Sequence, residues 1–437
     1  MSRLSTPEAA RTEPVGGPAT PSPVPVLFIE HSIGVSGSTI SLCTLLRRLR
    51  RQRYEPSVVF SRAAQHAYLL GSGAPPTDAR VIEWRNSLKS TRIGRAFYEM
   101  ALRRARPLRR LLTGLLSVLD LGFLVAPDIL RLYRLARRRR IALVHHNNGV
   151  EPRSVLLARL LGVPLVVYQR GEEWHSHAVR ALARMVTLYV ANSEATRQDL
   201  LHLGVAPGRT RVIYPPVDLE RFDPGVDAER QRGEFGVRPG ERCFGIFGTL
   251  LPWKGHHVFL RAARRVMDAV PNARAFVIGE APERDQAYRE ALERLVHELG
   301  IADRVIFTGF REDVPELMQL LRVVVHASVT PEPFGRVIAE AMAMGKPVVA
   351  TDAGGPREII QDGSDGCLVP PEQPEAMARA IVRLLTDTAH AEQVGRRARR
   401  TVEARFSAEA HARLVEQVYA DVLARPSTPR ITNEGMP

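Results

Sequence analysis

Lysine is nearly missing from this chain: of its 61 lysines and arginines only Lys89, Lys254 and Lys346 are lysine. The formal net charge of +14 therefore rests on arginine. A skew of that kind reads first as a compositional habit, although a nucleic acid, an anionic lipid or a phosphorylated substrate would suit it too. Cysteine is scarce. Cys43, Cys243 and Cys367 are widely spaced and form no C-x-x-C pair. That argues against a disulfide framework or a zinc site and favours a reduced, cytosolic setting. There is no D-x-D, no H-x-x-x-H and no Cys/His cluster, so no metal is expected. G-x-S-x-G is absent, which excludes a hydrolase nucleophile elbow, and the opening strand is not followed by the dinucleotide fingerprint G-x-G-x-x-G. No recognised nucleic-acid-binding motif accompanies the charge, so nucleic acid is not expected as a partner.

Nor is there a confident membrane span. Residues 111–126 are strongly apolar but few, contain Asp120, and lie between arginine-rich stretches at 103–110 and 131–140. They fit a buried helix pair, or a patch resting on an anionic membrane surface through residues 103–140. Residues 1–24 are rich in Pro, Gly, Ala and Thr and lack the apolar stretch of a signal peptide, so they read as a disordered tail, as do residues 425–437.

What the chain does contain is alternation. Apolar, strand-like runs fall at 25–30, 55–60, 80–82, 141–145, 164–168, 186–191 and 210–214, and again at 243–247, 273–278, 304–308, 323–326, 347–351 and 367–369. Segments of helical character separate most of them. Such a series implies parallel sheets covered on both faces, and 437 residues suffice for two cores. Pro215, Pro216, Asp218, Asp223, Pro224 and Gly225 form a turn-rich boundary. It divides an α/β domain at 25–217 from a second at 218–406, and residues 407–424 follow as one amphipathic helix.

In open parallel sheets ligands sit beyond the carboxyl ends of strands. Three loops of the second half have a phosphate-handling composition. The first runs from Phe247 through Gly248, Thr249 and Lys254 to Gly255. Glycine allows close backbone approach, and the lysine could meet a diphosphate as a point charge. The second is Thr330-Pro331-Glu332-Pro333-Phe334-Gly335-Arg336-Val337-Ile338-Ala339-Glu340. Here Pro333 stands where a first helical residue is expected, and the helix start offers free N–H groups to an anion. Glu332 precedes that helix and Glu340 is expected about two turns in. Two such carboxylates could each accept hydrogen bonds from sugar hydroxyls. Capping by Glu332 and simple solvation of Glu340 explain the same spacing. The third loop is Thr351-Asp352-Ala353-Gly354-Gly355-Pro356-Arg357-Glu358, a βα turn that brings backbone near the same place. In the first half, the loop from Glu30 through Gly34 and Gly37 to Thr39 follows the opening strand, and Tyr168-Gln169-Arg170-Gly171 ends another, followed by Glu172, Glu173, His175 and His177.

The segment E-P-F-G-R-V-I-A-E, with Gly248…Lys254-Gly255 before it and Gly354-Gly355…Glu358 after it, resembles the retaining glycosyltransferases of family 4. The resemblance spans roughly residues 25–424 and is densest at 242–385. It implies a GT-B fold, with two Rossmann-like domains facing across a cleft and the last helix crossing back to the N-terminal domain. It further implies a UDP- or GDP-sugar donor, no metal, and retention of anomeric configuration, in glycan, glycolipid or exopolysaccharide synthesis. By that likeness Glu332 would hold the donor sugar and Lys254 would neutralise the leaving diphosphate. Phe334, Gly335, Arg336 and Val337 would present backbone to the donor, and Glu340 would bind its ribose. Gly37 and Ser38 would approach from the opposite domain. Two positions depart from the pattern. Thr249 stands where relatives carry arginine after the glycine, and Arg170 stands where relatives often carry histidine, which makes Arg170 a candidate phosphate or acceptor contact.

Overall fold

The computed structural model describes residues 22–32, 35–75, 77–82, 125–171 and 177–424. The two tails (save residues 22–24), Gly34, Glu172, Glu173, His175 and nearly all of the apolar 111–126 segment lie outside the described residues.

The sheets are built of strands whose central members are continuous runs of Val, Ile, Leu and Phe buried on both faces, as an all-parallel sheet requires, with the edge strands shorter or more exposed. In the first half these are β1 (Val24–Glu30), β2 (Tyr54–Phe60), β3 (Asp78–Val81), β4 (Leu143–His146), β5 (Leu165–Gln169), β6 (Leu188–Ala191) and β7 (Thr210–Val212). They form one seven-stranded sheet in the order β3-β2-β1-β4-β5-β6-β7. The second half contributes β8 (Arg242–Phe247), β9 (Ala273–Ile278), β10 (Val305–Gly309), β11 (Val323–His326), β12 (Val348–Thr351) and β13 (Cys367–Val369), a six-stranded sheet ordered β10-β9-β8-β11-β12-β13. Every strand pair is parallel; Val26, for example, faces Pro56 on one side and Leu143 on the other. The strands fall where the apolar runs predict them, with ends displaced by one or two residues.

Both sheets reverse their winding once, between β1 and β4 and between β8 and β11. Those two switch points are where crevices open beyond the strand ends.

Each sheet is sandwiched between two apolar clusters. One cluster of the first sheet is completed from the far end of the chain. Helix Ala408–Ala424 inserts Ala412, Val415, Val418, Tyr419 and Val422 among Val26, Phe28, Leu42 and Leu46. Its Tyr419 hydroxyl meets His145 Nδ1 at 2.7 Å, and Tyr54 donates to the Glu416 carbonyl at 3.1 Å. The two chain passages between the halves run side by side: Val217 pairs with Ser407, and the Val217 N–H donates to the Phe406 carbonyl at 2.9 Å.

One element starts later than its sequence suggests. Pro333 is not the first helical residue; the helix is Arg336–Ala343, entered through Gly335 at φ +98°. The main chain at Glu332 is committed to a bridge with Gly354, so the chain turns only at the glycine, in a conformation that side chains rarely adopt. Glu340 consequently lies one turn into the helix, not two.

Candidate active site

The loops after β8 and β11 meet because glycine lets them. Gly255 has φ +70°, and a Cβ there would lie 1.9 Å from the Ala327 carbonyl oxygen. The third loop closes on the second in the same way. A Cβ on Gly354 would lie 2.5 Å from the Glu332 oxygen, one on Gly355 2.3 Å from the Phe334 oxygen, and the Gly355 N–H donates to Glu332 O at 2.7 Å. Phe334 itself is buried against Tyr214 and Phe406, with ring centroids at 5.9 and 5.7 Å, and so fixes the second loop from below.

This packing places Lys254 Nζ 2.6 Å from Glu332 Oε2 and 4.1 Å above the Trp253 ring. Ser328 Oγ donates to the same carboxylate oxygen at 3.1 Å, and His326 Nε2 stands 3.5 Å away. Burial opposes a charge on Glu332, but the hydrogen bond from His326 and the Lys254 ammonium outweigh it and hold the carboxyl down at about 2. The side chains keep 21% and 12% of their exposure, so the ion pair is poorly hydrated yet open to a ligand. Gly248 leaves β8 at φ +150° and Thr249 is exposed beside it.

Helix Arg336–Ala343 begins at the uncapped Gly335 with no acid in its first turn. Glu340 is not a solvated helix residue, because Arg336 Nη2 donates to its Oε1 at 2.6 Å. The other arm of Arg336 reaches the first half, to the Gly37 carbonyl at 3.2 Å and Ser41 Oγ at 2.8 Å. Val337 is half-buried behind it.

At the switch point of the first sheet the polar groups face one another. Glu30, fully buried, accepts from Ser32 N–H at 3.0 Å, from Ser38 Oγ at 3.1 Å and from Asn147 Nδ2. The Ser38 hydroxyl is thus turned inward, while Gly37 opens helix Gly37–Arg48. Arg170 Nε and Nη2 each donate to Asn147 at 2.9 Å, its guanidinium lies 3.9 Å from the Tyr168 ring centroid, and burial lowers its pKa. His31 Nδ1 and His146 Nε2 are 2.9 Å apart, and His146 Nδ1 meets Ser154 Oγ at 2.6 Å. Burial lowers the pKa of both rings. Among the described residues no group of three or more His, Cys, Asp or Glu side chains could hold a metal ion, and no helix is long and apolar enough to cross a membrane.

The family model for glycosyl transferases group 1 matches residues 227–401, and the model for Glycosyltransferase Family 4 matches residues 35–221. The lipopolysaccharide core biosynthesis mannosyltransferase LpcC of Rhizobium leguminosarum bv. viciae is 31% identical over 289 residues, 66% of this chain and 80% of that protein. The chain belongs to the family 4 glycosyltransferases.

Two further relatives set the frame for this glycosyltransferase. The mannosyltransferase LpsB of Rhizobium meliloti (strain 1021), also of lipopolysaccharide core biosynthesis, is 27% identical over 301 residues, 68% of this chain and 84% of that one. The crystal structure of Anabaena HepE in complex with UDP superposes with a TM-score of 0.72 at 25% identity, covering 91% of this chain and 100% of that one. The GT-B arrangement of two facing α/β halves follows.

In the second half of the transferase, Lys254, Glu332, Gly354 and Gly355 come together and Gly335 borders them, while Gly248 and Thr249 stand at the start of the loop that carries Lys254. Arg170 lies on the other half, held by Asn147. Residues that sequence reasoning left without a role are His326 and Ser328, which hold Glu332, and Glu358, which ends the third loop and crosses the cleft. The Glu358 carboxylate accepts from the N–H groups of Glu194 and Ala195 at 2.7 and 2.9 Å, at the start of helix Glu194–His202. The first two had a signal in the sequence, since a strand ending His-Ala-Ser just before E-x7-E places polar groups at a ligand crevice. Glu358 had none: its partners lie 164 and 163 residues away.

Proposed function

We propose that this transferase moves a sugar from a UDP- or GDP-sugar to a hydroxyl acceptor in glycan, glycolipid or exopolysaccharide synthesis, with retention of configuration and without a resident metal. The observation that carries this reading is the ionised Glu332 carboxylate joined to Lys254 at the second switch point. The difficult event is departure of a nucleoside diphosphate, on which negative charge collects. Fixed donors and cations aimed at that charge lower the barrier. An ammonium has three N–H donors. Lys254 gives one to Glu332, which leaves two for phosphate oxygens. The free N–H groups at the start of helix Arg336–Ala343 add their partial positive charge. Glu332 would accept sugar hydroxyls and Glu340 ribose hydroxyls, with Phe334, Gly335, Arg336 and Val337 lining the donor by their backbone. Thr249 would offer the diphosphate a hydroxyl where relatives offer a guanidinium. The crystal structures of HepE with UDP and with UDP-glucose support a nucleotide-sugar donor here. The two lipopolysaccharide relatives support a glycan acceptor.

On the facing half, Gly37 and Ser38 would close over the donor. Arg170, held flat by Asn147 and Tyr168, would position the acceptor or a phosphate on it. Closure excludes water and so favours transfer over hydrolysis. The reading extends to a membrane surface. Helix Ala126–Arg138 and the two residues after it expose Arg131, Arg134, Arg137, Arg138, Arg139 and Arg140 together with Leu130, a basic face suited to anionic lipid.

A thermal-shift series with UDP, GDP, ADP and their sugars tests the donor, because a ligand of the native state raises its melting temperature. No shift with any of them would sink the reading. Product analysis by NMR with the responding donor reads the anomeric configuration, and an inverted product removes the retaining assignment. For the basic face, sedimentation with phosphatidylglycerol vesicles at low salt, reversed at high salt, is the expected result.

A further inference from the structure

Arg336 departs from what its place in the E-x7-E segment suggests. Its backbone belongs to the donor loop, yet its side chain leaves that loop and ends on the other half of the molecule. One guanidinium nitrogen serves the Gly37 carbonyl and the Ser41 hydroxyl, and the other serves Glu340 Oε1, one helical turn along. The first half makes room for it: a Cβ on Gly37 would lie 2.8 Å from Arg336 Cδ. Ser41 is fully buried in helix Gly37–Arg48, so its hydroxyl is a fixed acceptor. Glu340 Oε2 has no hydrogen-bond partner among the described residues and remains available to a ligand.

We propose that Arg336 is a positioning residue which couples occupancy of Glu340 by ligand hydroxyls to the seating of the first half on the second. The inference rests on Glu340 as the hydroxyl-binding carboxylate proposed above. A free glutamate side chain samples several rotamers, and a ligand that needs one of them must order it. Arg336 orders it in advance by holding Oε1, which leaves Oε2 presented. Arg336 is itself held by two acceptors that belong to the other half. The ordered carboxylate therefore accompanies the seated arrangement and weakens when the halves part. By linkage, a ligand whose hydroxyls favour the ordered carboxylate draws the halves together, and seating raises the affinity for that ligand by the same factor.

The test uses the full chain and two nucleotides. Calorimetric titration of UDP, GDP and ADP selects the nucleoside diphosphate that binds, and its dideoxyribose counterpart supplies a probe without the hydroxyls. Arg336→Leu removes both arms of the link, whereas Ser41→Ala removes one of the two acceptors on the other half and leaves the Gly37 carbonyl in place. For the natural nucleotide, Kd is expected to rise about tenfold in Arg336→Leu and about threefold in Ser41→Ala, as loss of charge-assisted hydrogen bonds implies. With the dideoxy probe the variants should match the unaltered enzyme within about twofold. Small-angle scattering should show the unaltered enzyme contracting on nucleotide, and Ser41→Ala contracting less.

An equal penalty with both nucleotides would mean a general structural defect, and no penalty would mean that Arg336 is inert. Either result overturns the proposal. If Arg336→Leu does not fold by circular dichroism, Arg336→Lys and Ser41→Ala decide in its place. If the unaltered enzyme binds none of the three nucleotides, the donor reading itself fails and this inference falls with it, an outcome that no variant can imitate.

Discussion

The two switch points of this molecule are built on the same plan and filled with opposite chemistry. At the first, Glu30, Ser38, Asn147 and Arg170 form one chain of hydrogen bonds and His31, His146 and Ser154 form another, so most of the crevice floor's polar groups are already engaged. At the second, glycines bring three loops into contact, and the result is a strong ion pair with its ammonium left partly uncommitted. A self-satisfied floor positions what lies on it without drawing it in. An under-used cation at a helix start draws in an anion. On the proposed reading, this difference would let the second half bind the nucleotide while the first half orients an acceptor.

Four changes would break or sharpen that contrast. The largest effect is expected at the second switch point. Lys254→Ala and Glu332→Ala should each reduce turnover by at least about tenfold with the fold intact, since a fixed group aimed at the leaving charge contributes several kcal/mol to the barrier. Steady-state kinetics beside circular dichroism decides it, and near-normal turnover in both variants removes the roles assigned to them. Next comes the steric basis of the loop junction. Gly255→Ala puts a methyl group within 1.9 Å of a carbonyl oxygen at positive φ. A loss of about 2–4 kcal/mol in urea unfolding is expected. A loss under about 0.5 kcal/mol would mean that the loops are not held together in this way.

Acid should separate the halves more gently. His145 and His411 pack with the first sheet, and burial pushes each down to about 3. The unfolded chain binds those protons near its ordinary value of about 6.5. Stability from these neutral rings is therefore complete above about pH 6.5 and drains as pH falls toward about 3. Glu332, held at about 2 against about 4.3 in the unfolded chain, contributes above pH ~4.3 and loses its share only as pH falls toward ~2. His256, lowered by burial to about 4, is the only ring of the second half pushed as far as about 4 or below among the described residues. Hydrogen exchange between pH 7 and pH 4, corrected for intrinsic rate, should release β4 and β5 before β8 and β11; the reverse order would refute the argument. The smallest change concerns the cross-cleft cap. Glu358→Ala should lower stability by only about 1 kcal/mol, because Ser193 still caps the same helix by accepting from Thr196 N–H. A fall several times larger would make Glu358 a main tie between the halves.

Much of this architecture was legible in advance. Parallel strands buried on both faces leave unbroken apolar runs, so the central strands could be read from the sequence, and the alternation located the shorter edge strands beside them. Glycine pairs beside Lys254 and E-x7-E marked the loops that meet at the second switch point. The helix start at residue 333 misled, because a proline after an apolar strand signals a helix only if the residue before it is free, and Glu332 was already bridged to Gly354. The direction of Arg336 could not be read at all. Sequence places it on the E-x7-E loop, and only the approach of Gly37 and Ser41 turns its side chain outward.

By itself, then, the sequence determined what is local: where strands run, which loops must be glycine, and which residues carry charge. Tertiary structure decided whether those charges meet. Lys254 and Glu332 are 78 residues apart, Arg336 and Ser41 295, and Glu358 and Glu194 164. A hydrogen bond is directional and fades within an ångström or so of its best length. Partners so remote in the chain are therefore chosen by how sheets and halves pack, and by nothing in their own neighbourhood.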